Sequence, residues 1–112
     1  MPNHTWPPGQ LQTIINEVAA KHKVSVKEMC QPSHAGYLCR ARQEYFYRAS
    51  METGVPHTGI GRKCNRDHST VLAGIARYCL INDAPPPRKM NVETWWSKWR
   101  RHHERWHAVS QR

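Results

Sequence analysis

The stretch Arg66-Asp67-His68-Ser69-Thr70-Val71-Leu72 decides how this chain is read. Asp67 has the chemistry of a helix N-cap, a carboxylate that accepts hydrogen bonds from the unpaired amides of the first turn. The residues after it then project from the leading end of a helix, the part that can enter a major groove. His68 can donate to an acceptor on a base edge, Ser69 can donate or accept, and Thr70 offers a hydroxyl to phosphate and a methyl to thymine. Taken alone, the segment reads first as an ordinary capped surface helix, so its surroundings have to decide.

Downstream, His68 to Ile81 forms a predicted helix with Val71, Leu72, Ile75, Ala76 and Cys79 turned inward. Upstream, Asn65-Arg66-Asp67 makes a turn, and Thr58 to Cys64 forms a short helix at best, because Gly59 and Gly61 each cost about 1 kcal/mol relative to alanine. A short, weak helix, a turn and a capped longer helix are the parts of a helix-turn-helix. Before them, Tyr37 to Thr53 runs without a breaker and aligns Leu38, Ala41, Tyr45, Ala49 and Glu52, until Gly54 and Pro56 end it. Arg40, Arg42 and Arg48 give this helix a basic polar side, while Tyr45, Phe46 and Tyr47 are core and near-core residues. Gln31 to Gly36 is a turn. Ser25 and Glu28 form a capping box for a short helix that Pro32 stops. Leu11, Ile14, Ile15, Val18 and Ala19 mark an amphipathic helix ending near His22, and the proline-bearing segment before Gly9 is an arm.

Past the capped helix, Pro85-Pro86-Pro87 and Arg88-Lys89 form a stiff spacer with a basic end. Val92, Trp95, Trp96, Trp99, His103, Trp106 and Val109 then recur every three or four residues, with Lys98, Arg100, Arg101 and Arg105 on the other side. The expected fold is therefore all-α, a small helical bundle with a helix-turn-helix plus a C-terminal Trp-rich amphipathic helix. The expected organisation is an arm over 1–10, the helix-turn-helix domain over 11–81, a linker over 82–91 and the Trp-rich basic helix over 92–112. No internal repeat and no strand-length alternation is present.

A single domain accounts for 112 residues. The net charge of +9, from 17 lysines and arginines against 8 acidic residues, makes a polyanion the expected partner, and nucleic acid the first one. Mean hydropathy is low at −0.82, and five tryptophans, four tyrosines and one phenylalanine supply apolar area from few residues. No apolar run is long enough for a membrane span and the N-terminus lacks the order of a signal peptide, so the expected location is cytoplasmic and nucleoid-associated, with no membrane partner. Cys30, Cys39, Cys64 and Cys79 read as packing residues. Zinc is the sharper alternative, since His34, His57 and His68 lie among them in sequence, but no C-x2-C chelating turn exists and no metal site is assigned. No paired carboxylates and no nucleophile with a base at telling spacing are present, so neither an enzyme, a small-molecule substrate nor a cofactor is expected.

The order Ile14-Ile15, Val18-Ala19, Val24-Ser25-Val26, Glu28-Met29, Arg40-Ala41-Arg42-Gln43, Ile60-Gly61 and Arg66 to Leu72 resembles the C-terminal DNA-binding domain of the bacterial replication initiator DnaA, over roughly residues 11 to 81. The resemblance implies a helical bundle related to the Trp repressor. It implies that Asp67, His68 and Ser69 face bases in the major groove, with Thr70 at or beside the backbone. It sets Arg42 and Gln43 against phosphate or a nearby base edge. Arg40, Lys63 and Arg66 are also expected on the DNA-binding side. The family usually carries threonine where this chain has Ser69, which removes a methyl that could touch thymine. Its basic loop before the long helix is replaced by Gln31 to Gly36, where only His34 can substitute, and more weakly. The segment before Arg66 is about one residue short, and Ala73 stands where the family often keeps histidine. No G-x-x-x-x-G-K-[ST] phosphate loop is present.

The expected function is sequence-preferring binding of double-stranded DNA by a transcriptional or replication regulator; the alternative is an adaptor that holds the replication machinery through its Trp face. The Trp stripe reads as a packed helix before a base-stacking platform. Each tryptophan can bury on the order of 200 Å², worth at most a few kcal/mol at about 25 cal/mol per Å². A second copy, giving a homodimer, and docking onto the same chain are the two covers open to it. Cutting after Asn82 is expected to leave a folded, weaker DNA binder whose mass in solution drops from dimer to monomer. A full-length chain that sediments as a monomer with blue-shifted Trp emission would instead establish docking in cis.

Overall fold

The computed structural model describes residues 9–87, which form five helices and, among these residues, no strand. They are α1 (Gln10–His22), α2 (Val26–Met29), α3 (Gly36–Glu52), α4 (His57–Lys63) and α5 (His68–Asn82). The all-α helix-turn-helix bundle expected from sequence is what the chain adopts. The arm before Gly9 and the Trp-rich segment lie outside the described residues.

Helix α3 is the hub, in contact with all four others. Its Tyr45 and Phe46 are buried among Ile14, Ile15 and Val18 of α1, Met29 of α2, Ile60 of α4, and Val71 and Ile75 of α5. Alanine at 41 and 49 and glycine at 74 let the helices approach closely. A β-carbon on Gly74 would come within 2.7 Å of the Phe46 ring, so α5 sits on α3 with no room for a methyl group.

Helix ends are closed by local chemistry. Ser25 Oγ accepts from the Glu28 amide while the Glu28 carboxylate accepts from the Ser25 amide, completing the expected capping box. At the end of α1, the Lys23 and Val24 amides turn back to Ala20 and Ala19 carbonyls, with Lys23 left-handed at φ 58°. The same device ends α4: the Asn65 amide donates to Arg62 and the Arg66 amide to Gly61, with Asn65 at φ 56°. Tyr45 Oη donates to the Ile60 carbonyl at 2.9 Å, pairing an acceptor near the end of a helix too short to pair all its own.

Three placements differ from the sequence reading. Glu52, which the sequence aligns with Leu38, Ala41, Tyr45 and Ala49, is exposed where those four are buried, whereas Glu44 is buried. Burial pushes the Glu44 carboxyl up, but hydrogen bonds from His22 and Lys21, each 3.0 Å, outweigh that and hold it below the usual carboxylate range. Arg42, expected on a basic polar side, is turned inward and only 4% exposed, because the carbonyls of the α2–α3 loop need donors there. Finally, the start of the proline-rich spacer packs on the body. Asp83 is left-handed, the Ala84 amide donates to Cys79, and Tyr47 Oη, whose ring stacks on Tyr78, donates to the Pro85 carbonyl at 2.8 Å.

The crowding at the α4–α5 turn yields a test. A β-carbon on Gly61 would lie 2.5 Å from the Arg66 carbonyl oxygen and 2.7 Å from Val71 Cγ2. Gly61→Ala is expected to destabilise the bundle by about 1–3 kcal/mol, since overpacking against backbone outweighs the gain in helix propensity. Urea denaturation showing an unchanged or raised midpoint would contradict the close approach.

Candidate nucleic-acid interface

The interface is built outward from the turn. Because Arg66 N donates to the Gly61 carbonyl at 2.8 Å and Asn65 takes the left-handed corner, the chain reverses within four residues and delivers Asp67 to the head of α5. Asp67 Oδ1 accepts from the Thr70 amide at 2.8 Å. Hydrogen bonds from the Thr70 amide and hydroxyl hold the Asp67 carboxyl below its ordinary range, with the nearby His68 adding to the effect. Asp67, His68, Ser69 and Thr70 are all exposed, while the next residue, Val71, is fully buried. The leading turn of α5 is thus polar, presented to solvent, and anchored directly behind.

The first residue of α4 supports it. His57 is buried, hydrogen-bonded through Nε2 to Ser50 Oγ at 3.0 Å, and its ring lies 6.1 Å from that of His68. The α4 segment therefore underlies the base of α5 with a fixed polar contact to α3.

Two concavities flank this leading turn. One, of about 450 Å³, is lined by Thr58, Arg62, Asn65, Arg66, Asp67 and His68. The other, of about 250 Å³, is a cleft between the α2–α3 loop and α5, with His34, Gln43, Arg66, Thr70 and Arg77 among its lining residues. Neither is lined by glutamate, and Asp67, engaged in its cap, is the one acidic residue in the two linings. The surface suits an anionic partner.

Of the residues singled out from sequence, the cleft brings His34, Arg42, Gln43, Arg66 and Thr70 together, and the other concavity joins Arg66, Asp67 and His68. Arg40, Lys63 and Ser69 are exposed but line neither; the Lys63 ammonium donates to the Gln12 side chain. Arg42 lines the cleft from within, its guanidinium engaged by loop carbonyls. Sequence reasoning passed over Arg77 and Arg62. Arg77 could have been found by helical spacing, since it follows Thr70 by seven and so shares its face. Arg62 carried no signal beyond a basic charge in the last turn of a weak helix.

Among the described residues no group of three or more histidine, cysteine or acidic side chains could hold a metal ion, and no helix is long and apolar enough to cross a membrane. All four cysteines are free; burial pushes the Cys64 thiol up and the Cys79 thiol up to about 11, which keeps both protonated.

Residues 11–77 match the family described as the bacterial dnaA protein helix-turn-helix. Over 84 residues the chain is 30% identical to the chromosomal replication initiator protein DnaA of Oleidesulfovibrio alaskensis, an alignment that takes in 75% of this chain and 16% of that protein. The chain thus corresponds to about a sixth of the length of that curated relative. No solved structure matches.

Asp67→Ala is expected to lower the melting temperature as well as DNA affinity, because it unpairs the Thr70 amide at the helix that carries His68. The carboxyl is held below its ordinary value, so the stability it contributes is present above about pH 4 and lost as pH falls through the lowered value. A melting temperature unaltered by the substitution at neutral pH would reduce Asp67 to a surface group.

Proposed function

The chain belongs to the helix-turn-helix family of the bacterial DnaA proteins, and from that premise we propose that it binds double-stranded DNA with sequence preference and acts as a regulator of transcription or replication. The observation that carries the proposal is the leading turn of α5, where His68, Ser69 and Thr70 stand exposed on a capped helix end while Val71 locks the same turn into the core. A helix end so arranged places donors and acceptors where base edges lie in a major groove. Arg62 and Arg77 on the flanking concavities supply positive charge to the phosphates on either side. In this reading His68 and Ser69 contact bases, Thr70 contacts backbone or a thymine methyl, and Gln43 and His34 bound the DNA on the far wall of the cleft.

Selection from a random duplex library tests this directly: an enriched motif is expected. On the enriched duplex, His68→Ala or Ser69→Ala should cost about 1–3 kcal/mol, with little loss on random duplex, because base contacts discriminate and phosphate contacts do not. If about five phosphates are neutralised, log K should fall with log[salt] at a slope of about −4 to −5. A flat salt response, or no enriched motif, contradicts the proposal.

A further inference from the structure

The α2–α3 loop has no regular structure of its own, yet one buried side chain holds two of its carbonyls together with that of Met29, the last residue of α2. Arg42 donates from Nε to Met29 at 2.6 Å, from Nη2 to Gln31 at 2.8 Å and from Nη1 to Ser33 at 2.7 Å. Gln31 then accepts a second charge-assisted bond, from Nη2 of Arg66 at 2.5 Å. Arg66 uses Nη1 on the Cys64 and Asn65 carbonyls, at 3.1 and 3.2 Å, and the Asn65 side chain donates to the Cys30 carbonyl at 3.3 Å. The loop is therefore joined to the helix-turn-helix corner through one carbonyl shared by two guanidinium groups, one from α3 and one from the turn.

This junction has a geometric consequence. The loop, carrying His34, forms one wall of the 250 Å³ cleft, and α5, carrying Thr70 and Arg77, forms the other. The separation of the walls depends on the two arginines that connect them. A guanidinium is a planar fork that satisfies several carbonyls in fixed directions, which a lysine ammonium on its flexible stem does not reproduce. Hydrogen bonds to base edges weaken steeply with distance and angle, so recognition across the cleft requires walls held in register. A loop left loose would have to be ordered on each binding event, at an entropic cost charged against the preferred site.

We propose that Arg42 and Arg66 are positioning residues, which set the α2–α3 loop against α5 and so sharpen sequence preference, rather than residues whose charge neutralises phosphate. The proposal rests on the DNA-binding reading given above. It departs from the expectation, drawn from sequence, that both arginines lie on the DNA.

The full-length chain, the duplex enriched by selection and a random duplex of equal length provide the test. Arg66→Lys keeps the charge and removes the fork. It is expected to reduce the ratio of enriched to random affinity roughly tenfold, with the salt slope unchanged and cooperative melting retained. Arg66→Met, which removes the charge as well, is expected to give the same loss of preference and again no change in slope. If Arg66→Met instead lowers the salt slope by about one and weakens both duplexes alike, with Arg66→Lys behaving as the parent protein, Arg66 is a phosphate contact and the proposal is overturned. Arg42→Lys, measured below its own melting transition, should repeat the Arg66→Lys result and speed amide exchange in the loop while α5 stays protected. Unaltered preference in that variant also overturns the proposal; where it fails to fold, the Arg66 pair decides. An enriched motif with His68-dependent binding that ignores both arginines sinks this inference alone, whereas the absence of any enriched motif sinks the DNA-binding reading beneath it.

Discussion

The arrangement of the molecule depends on the space denied at Gly61. Its carbonyl accepts from both the Cys64 and Arg66 amides, and its α-carbon lies so near the Arg66 carbonyl and the Val71 side chain that only hydrogen fits. This contact closes α4, forces Asn65 into the left-handed corner and sets the angle at which α5 departs. A glycine that weakens α4 as an isolated helix is thus what allows the corner to close. Local propensity is sacrificed to a tertiary contact, and the stability of the short helix comes from packing of Ile60 and Cys64 rather than from its own hydrogen bonds.

Around that corner, α3 serves as the common wall. Polar groups on it are buried only where partners meet them: Glu44 faces Lys21 and His22, Ser50 faces His57, Tyr45 faces the end of α4, and Arg42 faces the loop. Between them they join α3 to α1, to α4 and to the α2–α3 loop. Apolar contacts hold the helices together without direction, whereas these bonds fix their relative placement. The exposed end of α5 inherits its orientation from them, since the polar leading turn makes few contacts of its own beyond the Asp67 cap.

The division of labour among cations follows from the same placement. Arg42 is enclosed and engaged by carbonyls, Arg48 is paired with Glu17 and Glu52, and Lys63 reaches Gln12, so part of the basic charge on the sequence is tied up in holding the bundle. Arg62 and Arg77 line the concavities that flank the leading turn, and Arg66 lies between them with its guanidinium engaged by the Gln31, Cys64 and Asn65 carbonyls. A formal charge of +9 therefore overstates what any one face presents.

Periodicity by itself determined the helices, because apolar residues three and four apart have only one way to share a core, and it determined the caps, because Ser25 and Asp67 satisfy amides a few residues away. The exposed His68-Ser69-Thr70 turn was legible for the same reason: it follows from the cap and from Val71. Which way Arg42 points was not legible. A helix position between two faces is assigned by what lies opposite, and the carbonyls of Met29, Gln31 and Ser33 lie opposite only once the loop has folded across α3. The burial of Glu44, the use of the Pro85 carbonyl by Tyr47 and the cleft shared by His34 and Arg77 likewise join residues far apart in the chain. Local patterns specify which surface a helix hides, but a polar side chain is placed by partners that only the tertiary structure brings within hydrogen-bond reach.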